Sequence, residues 1–271
     1  MVALAYAAAA VPRFRAVGLA TFELRPLTTG EILDGSLTLL RRHFRLLFGI
    51  AVACEGVPAA LDVYVDLAGR SGAHPGLALL GRLLNLIGTL LVTGATVRAV
   101  SEAYLGRVPR LGDALRYAGS KLGVIFGATF ASGVVVLLAT IALVIPGIIV
   151  FCGYSVAGQV AALEPLRSST DALRRSWDLT KGFKGKALVL WVVAFALIAV
   201  VVLAVGFAGG IATGLTGGVE APVTALLAVI TLLIYPLISC VFTLFYYDLR
   251  VRKEGFDLEV LSGQLGIAPT P

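Results

Sequence analysis

Apolar residues run in long stretches along most of this chain, and the polar positions collect into short islands between them. Six stretches, about 45–67, 77–103, 121–144, 147–163, 185–208 and 221–246, are long enough to cross a bilayer as helices, which takes ~20 residues. Lipid offers the backbone no hydrogen-bond partner, so only helices or closed barrels span it, and these runs are too long for barrel strands. The pattern predicts an all-α, polytopic membrane protein. The fourth stretch is short and the second and sixth are long, which implies tilt or helices that continue past the bilayer. Pro146-Gly147 breaks what would otherwise be one apolar run. A tight turn there makes spans three and four a hairpin.

Three of the islands resemble one another. "TTGEILDGSLTLLRRHF" precedes span one, "PRLGDALRYAGSKLGVIF" span three and "SSTDALRRSWDLTKGF" span five. Each places a Gly or Thr before an acid: Gly30-Glu31, Gly112-Asp113 and Thr170-Asp171. Such a pair marks a helix N-terminus, where the acid meets the positive end of the helix dipole. Leucines and aromatics then recur at helical spacing, as in Leu33, Leu37, Leu40 and Phe44, while Arg41, Arg42, Arg116, Lys121, Arg174 and Arg175 fall on the other faces. These are the features of amphipathic helices lying in the membrane interface, where Trp177 and Lys181 also fit as lipid contacts. The expected unit is an interfacial helix followed by two spans, repeated three times in parallel about an axis along the membrane normal.

Charge adds direction. The chain is 58% hydrophobic and 14% charged, with a net charge of +6. Lys and Arg number six up to Arg45, five in 98–121, six in 164–186 and three in 250–253. That places 20 of the 22 on one side of the bilayer, with Arg70 and Arg82 as the exceptions. The positive-inside rule then puts both termini in the cytoplasm. Basic residues confined to short loops are a topology signal and a contact for anionic lipid head groups, and they exclude nucleic acid as the partner. Residues 1–24 read as a mobile extension, 25–250 as one six-helix membrane domain and 251–271 as a cytoplasmic tail. The opening "MVALAYAAAAVPRF" has its apolar run ahead of its first charge, the reverse of a signal peptide.

Ionisable groups within spans are candidates for function. Glu55 lies near the middle of span one, with Asn85 placed to approach it from span two. Asp62 and Arg82 each lie ~7 Å in from the outer end and are placed to pair across the first hairpin. Two readings stay open: a polar, proton-sensitive site between spans one and two, or buried contacts that fix hairpin packing. Tyr246, Tyr247 and Asp248 read as an aromatic belt at the interface, and "GFAGGIATGLTGG" (Gly206 to Gly218) as a flexible outer loop. Cys54, Cys152 and Cys240 sit apart in apolar runs, so neither a disulfide framework nor a metal site is expected. No GxSxG, HExxH or Walker A motif occurs, and no catalytic residue or cofactor is expected.

Several stretches together resemble a known family: "RPLTTGEILDGSLTLLRRHFRLLF", "AYLGRVPRLGDALR", "IPGIIV", "ALEPLRSSTDALRRSWDLTKG" and "LFYYDLRVRKEGFDLEVL". The chain looks like the membrane domain that precedes some bacterial glycerophosphoryl diester phosphodiesterases and also occurs alone. The likeness covers about residues 25–262 and implies an integral protein of the bacterial inner membrane. It does not imply phosphodiesterase activity, which belongs to a separate soluble barrel domain. Two functions fit. One is a non-enzymatic scaffold or accessory subunit whose basic collar meets lipid head groups, or a protein partner through the collar or tail. The other is a transporter or lipid-handling protein with a polar path at Glu55, Asp62, Arg82 and Asn85.

Overall fold

A computed structural model describes residues 25–68, 75–105, 107–166, 168–216 and 221–255. The regular elements among them are the α-helices α1 (Thr29–Arg42), α2 (Phe44–Ala68), α3 (Pro75–Tyr104), α4 (Leu111–Ala142), α5 (Val144–Gly153), α6 (Ala157–Leu163), α7 (Ser169–Thr180), α8 (Lys184–Thr216) and α9 (Ala221–Glu254). Six segments are long and apolar enough to cross a membrane: Phe44–Val65, Leu79–Tyr104, Leu111–Ala142, Val144–Leu163, Lys184–Ile211 and Ala225–Glu254. Large apolar side chains stand exposed along them, Phe130, Ile141, Ile145, Leu203 and Phe207 among others. On a soluble protein such a belt would be an association surface; against lipid it is solvated. The expected N-terminal extension, Arg70, Arg167 and the chain beyond Gly255 lie outside the described residues.

The three related islands start their helices in one register. Glu31, Asp113 and Asp171 are each the third residue of α1, α4 and α7. The cap therefore falls two residues before the Gly or Thr of the motif. Thr28 and Ser168 form capping boxes with Glu31 and Asp171, whereas Arg110 at the head of α4 gives no side-chain cap. Bonds from the Thr28 backbone and hydroxyl, with Arg25 beside it, hold the Glu31 carboxyl down at about 2.

After these common starts the units diverge. Helix α1 yields to α2 at His43. Helix α7 ends before Gly182, whose φ of +89° is open to glycine and strained for other residues. The second unit does not separate at all: Gly119 and Gly123 stay helical, and the expected interfacial helix and span three are one 32-residue helix.

Other boundaries also moved. The break between spans three and four falls at Leu143, which is extended at φ −163° and ψ 139°. Pro146 instead sits in the first turn of α5, where its missing N–H breaks no helix bond. The glycine-rich segment expected as an outer loop continues α8 to Thr216, because helix is how a backbone in an apolar setting satisfies itself. Helix α9 likewise runs through the start of the expected tail, to Glu254.

Span four is interrupted at Tyr154-Ser155-Val156, between α5 and α6. The break is held by α7. Ser176 Oγ and Thr180 Oγ1 donate to the Gly153 carbonyl oxygen at 3.0 and 2.9 Å. The Trp177 ring lies so close that a methyl group added at Gly153 would sit 2.4 Å from its Cε3. The third amphipathic helix is thus a wedge against the bundle, with Ala172, Leu173, Ser176, Leu179 and Thr180 buried.

Consecutive spans pack on one another, and α9 closes the bundle by packing on α1, α2, α3 and α8. Its stretch from Cys240 to Leu249 is buried on every side, as expected of a helix apolar all round.

Replacing Ser176 by Ala and Thr180 by Val together leaves the Gly153 carbonyl oxygen without its hydroxyl donors, and thermal unfolding in detergent should show a loss of ~1–3 kcal/mol. For Glu31 the folded pKa lies below the ordinary 4.5, so its contribution is present above that value and is lost as pH falls towards about 2. Protection of the first-turn amides of α1, taken as exchange relative to the intrinsic rate at each pH, should fall over that window, and Glu31→Gln should remove that loss.

Candidate functional site

Two polar constellations stand out, one within the membrane-spanning part and one at the basic end of the bundle. The first is centred on Glu55 of α2, which is 5% exposed. Thr89 of α3 sits against it, its Oγ1 2.8 Å from Glu55 Oε1. The approach depends on Gly88: a methyl group there would lie 2.7 Å from the Cys54 carbonyl oxygen and 3.1 Å from the Glu55 carboxyl. Thr89 Oγ1 is also 2.9 Å from the carbonyl oxygen of Asn85, one turn earlier on α3. Tyr235 of α9 lies beside Thr89 and Glu55. No cation lies within ion-pair distance of Glu55 among the described residues.

Of the residues expected beside Glu55, Asn85 contributes its backbone carbonyl and leaves its side chain exposed. Asp62 and Arg82 do not form the expected ion pair. Both are exposed, and Asp62 Oδ1 packs over Gly81, 3.2 Å from where a methyl group there would be. The glycine gives the carboxylate room on α3. Thr89 and Tyr235 carried no sequence signal, since a threonine and a tyrosine within apolar runs are ordinary. The two prolines inside membrane-spanning helices, Pro58 and Pro236, were the legible hint that these helices deform near here.

The second constellation overturns the reading of Tyr246, Tyr247 and Asp248 as an aromatic belt. All three are buried, 1%, 3% and 1% exposed. Asp248 accepts from the Leu27 backbone N–H at 2.7 Å, Lys186 Nζ at 2.6 Å and Arg252 Nε at 2.9 Å. Lys186 and Arg252 also donate to the Leu27 carbonyl oxygen. One carboxylate thereby ties the segment before α1 and the start of α8 to α9. Tyr246 donates to Glu164 Oε1 at 2.9 Å, and Glu164 accepts from Arg175 Nε. Arg175 in turn pairs with Glu254, which accepts from Arg250. Tyr247 bonds Ser101 at 2.5 Å and stacks on Tyr104.

The basic residues expected at lipid divide accordingly. Arg41, Arg42, Arg116, Arg174 and Lys181 are exposed and Lys121 is half-buried. Arg175 is held inward by its two carboxylates. Trp177 packs on Gly153 and Tyr154, with Lys184 Nζ 3.3 Å over its ring. Among the described residues no group of His, Cys, Asp and Glu is arranged to hold a metal ion.

Fold and site together define a multi-pass helical membrane protein with buried charged and polar groups. No family model matches the chain, and no curated protein or solved structure matches it significantly. The likeness to the phosphodiesterase membrane domain therefore rests on the quoted motifs alone.

The Asp248 cluster is expected to be cooperative. Asp248→Asn and Lys186→Met should each cost ~3–5 kcal/mol by stranding a buried partner. The double variant should lose clearly less than the sum in a denaturation cycle in detergent.

Proposed function

We propose that this chain is a transporter or lipid-handling protein whose working centre is the polar site at Glu55. The observation that carries this reading is a buried carboxyl with no cation in reach, set where α2, α3 and α9 meet. Burying such a group costs free energy and contributes little to packing, so ionisable groups in spans mark pathways more often than fastenings. Asp62, Arg82 and Asn85 continue the polar track along the exposed side of the same hairpin. Pro58 lies three residues beyond Glu55 and Pro236 beside Tyr235. Each removes a helix bond and lets its helix bend at the site.

In this reading both termini are cytoplasmic and the three hairpins run parallel in a bacterial inner membrane. Helices α1 and α7 and the head of α4 form a cytoplasmic collar. Arg41, Arg42, Arg116, Arg174 and Lys181 meet anionic head groups there. A scaffold or accessory role is the second reading. It is favoured by the Asp248 and Glu164 networks, which brace the basic end as a firm platform for a partner.

The test combines accessibility with co-purification. Asn85→Cys, in a chain with Cys54, Cys152 and Cys240 replaced, should react with a water-soluble maleimide in native membranes. Mild-detergent purification followed by mass spectrometry should find a lipid enriched over the bulk membrane, and Glu55→Gln should lose it while expressing normally. An Asn85→Cys chain that stays unlabelled, together with a stoichiometric protein partner, would instead favour the scaffold.

A further inference from the structure

The contacts around Thr89 bear on where a proton resides. Its hydroxyl carries one proton but lies within hydrogen-bond distance of two oxygens, Glu55 Oε1 at 2.8 Å and Asn85 O at 2.9 Å. With Glu55 ionised, both are pure acceptors and only one of them receives that proton. The other then faces the hydroxyl oxygen lone pair to lone pair at under 3 Å. With Glu55 protonated, the carboxyl donates to Thr89 Oγ1 and Thr89 donates to Asn85 O, so both short contacts become hydrogen bonds.

The surroundings agree. The groups that face Glu55 are Thr89 and the Asn85 carbonyl from α3 and Tyr235 from α9. From its own helix come Cys54 and, further off, Asp62. None is a cation. Arg82 is exposed and two helical turns from Thr89, ~10 Å along the axis. A carboxylate buried without a cation loses its hydration with nothing to replace it.

We infer that Glu55 holds a proton at neutral pH, and that a proton is the coupling ion of this site. The second half rests on the transport reading; the first rests on the contacts at Thr89 taken together with the burial of the Glu55 carboxyl away from any cation. Release breaks the Glu55 O–H bond and passes the proton to water. The Thr89 hydroxyl then rotates from Asn85 O to the carboxylate it leaves behind. The switch is local, one hydroxyl with two resting positions on the helix that faces Glu55.

Infrared spectroscopy of the full chain in lipid at neutral pH tests this. A carbonyl stretch from a protonated carboxyl is expected, lost in Glu55→Gln. Thr89→Val keeps the acid but removes its acceptor, so the band should persist and move to higher frequency, which guards against a Gln variant that fails to fold. No band in the folded wild-type chain, or a band that neither substitution changes, overturns the inference while the polar-path reading stands. A Glu55-dependent band in vesicles whose lumenal pH, read by pyranine while phosphatidylglycerol added to the outer leaflet sets a lipid gradient, never moves would keep the proton on Glu55 and overturn its coupling role.

Discussion

A polar group buried in this bundle is costly to leave unpaired, and that constraint shapes each of its unusual features. Where span four breaks, the freed carbonyl of Gly153 is met by two hydroxyls from α7. Where α8 and α9 reach the basic end, Asp248 is met by two cations and a backbone N–H. A few weakly polar atoms, Thr96 Oγ1, Ser155 Oγ, Trp191 Nε1 and Ser239 Oγ, stay buried without a hydrogen-bond partner among the described residues. A lone hydroxyl or indole N–H is the least costly group to leave so. Glu55 is the departure from the pattern: a full carboxyl that has neutral neighbours in place of a counter-charge.

The three related units show how one local instruction yields different tertiary parts. Their helices begin alike, with the acid in the third position, because N-terminal amides and a carboxylate attract each other wherever a helix starts. Neighbours decide the rest of each unit. Helix α1 packs on α9, α7 wedges against the broken span, and the second helix runs on into the membrane as part of α4.

Helix α9 connects the two constellations. Tyr235 reaches the Glu55 group, and Asp248 lies thirteen residues on, ~20 Å along the same helix. Pro236 stands between them. Beyond it the stretch from Cys240 to Leu249 is buried and fastened at the basic end, while the half that carries Tyr235 is partly exposed.

The sequence by itself determined the class, the six spans and the segregation of basic residues. These depend on run length, composition and charge, which act residue by residue. It also marked Glu55, since a carboxyl in an apolar run is anomalous wherever it points. Only the tertiary structure decided its neighbours. Thr89 and Tyr235 are ordinary residues until Gly88 lets two helices close and α9 folds over them. The same holds for Asp248: in sequence it borders an aromatic pair at a membrane edge, and its burial depends on Leu27 and Lys186, 221 and 62 positions away. Interruptions were legible as prolines and glycines, yet their placement was not. Pro146 is harmless in a first turn and the glycines of α8 stay helical, because the cost of a break depends on which partners wait for the freed backbone groups.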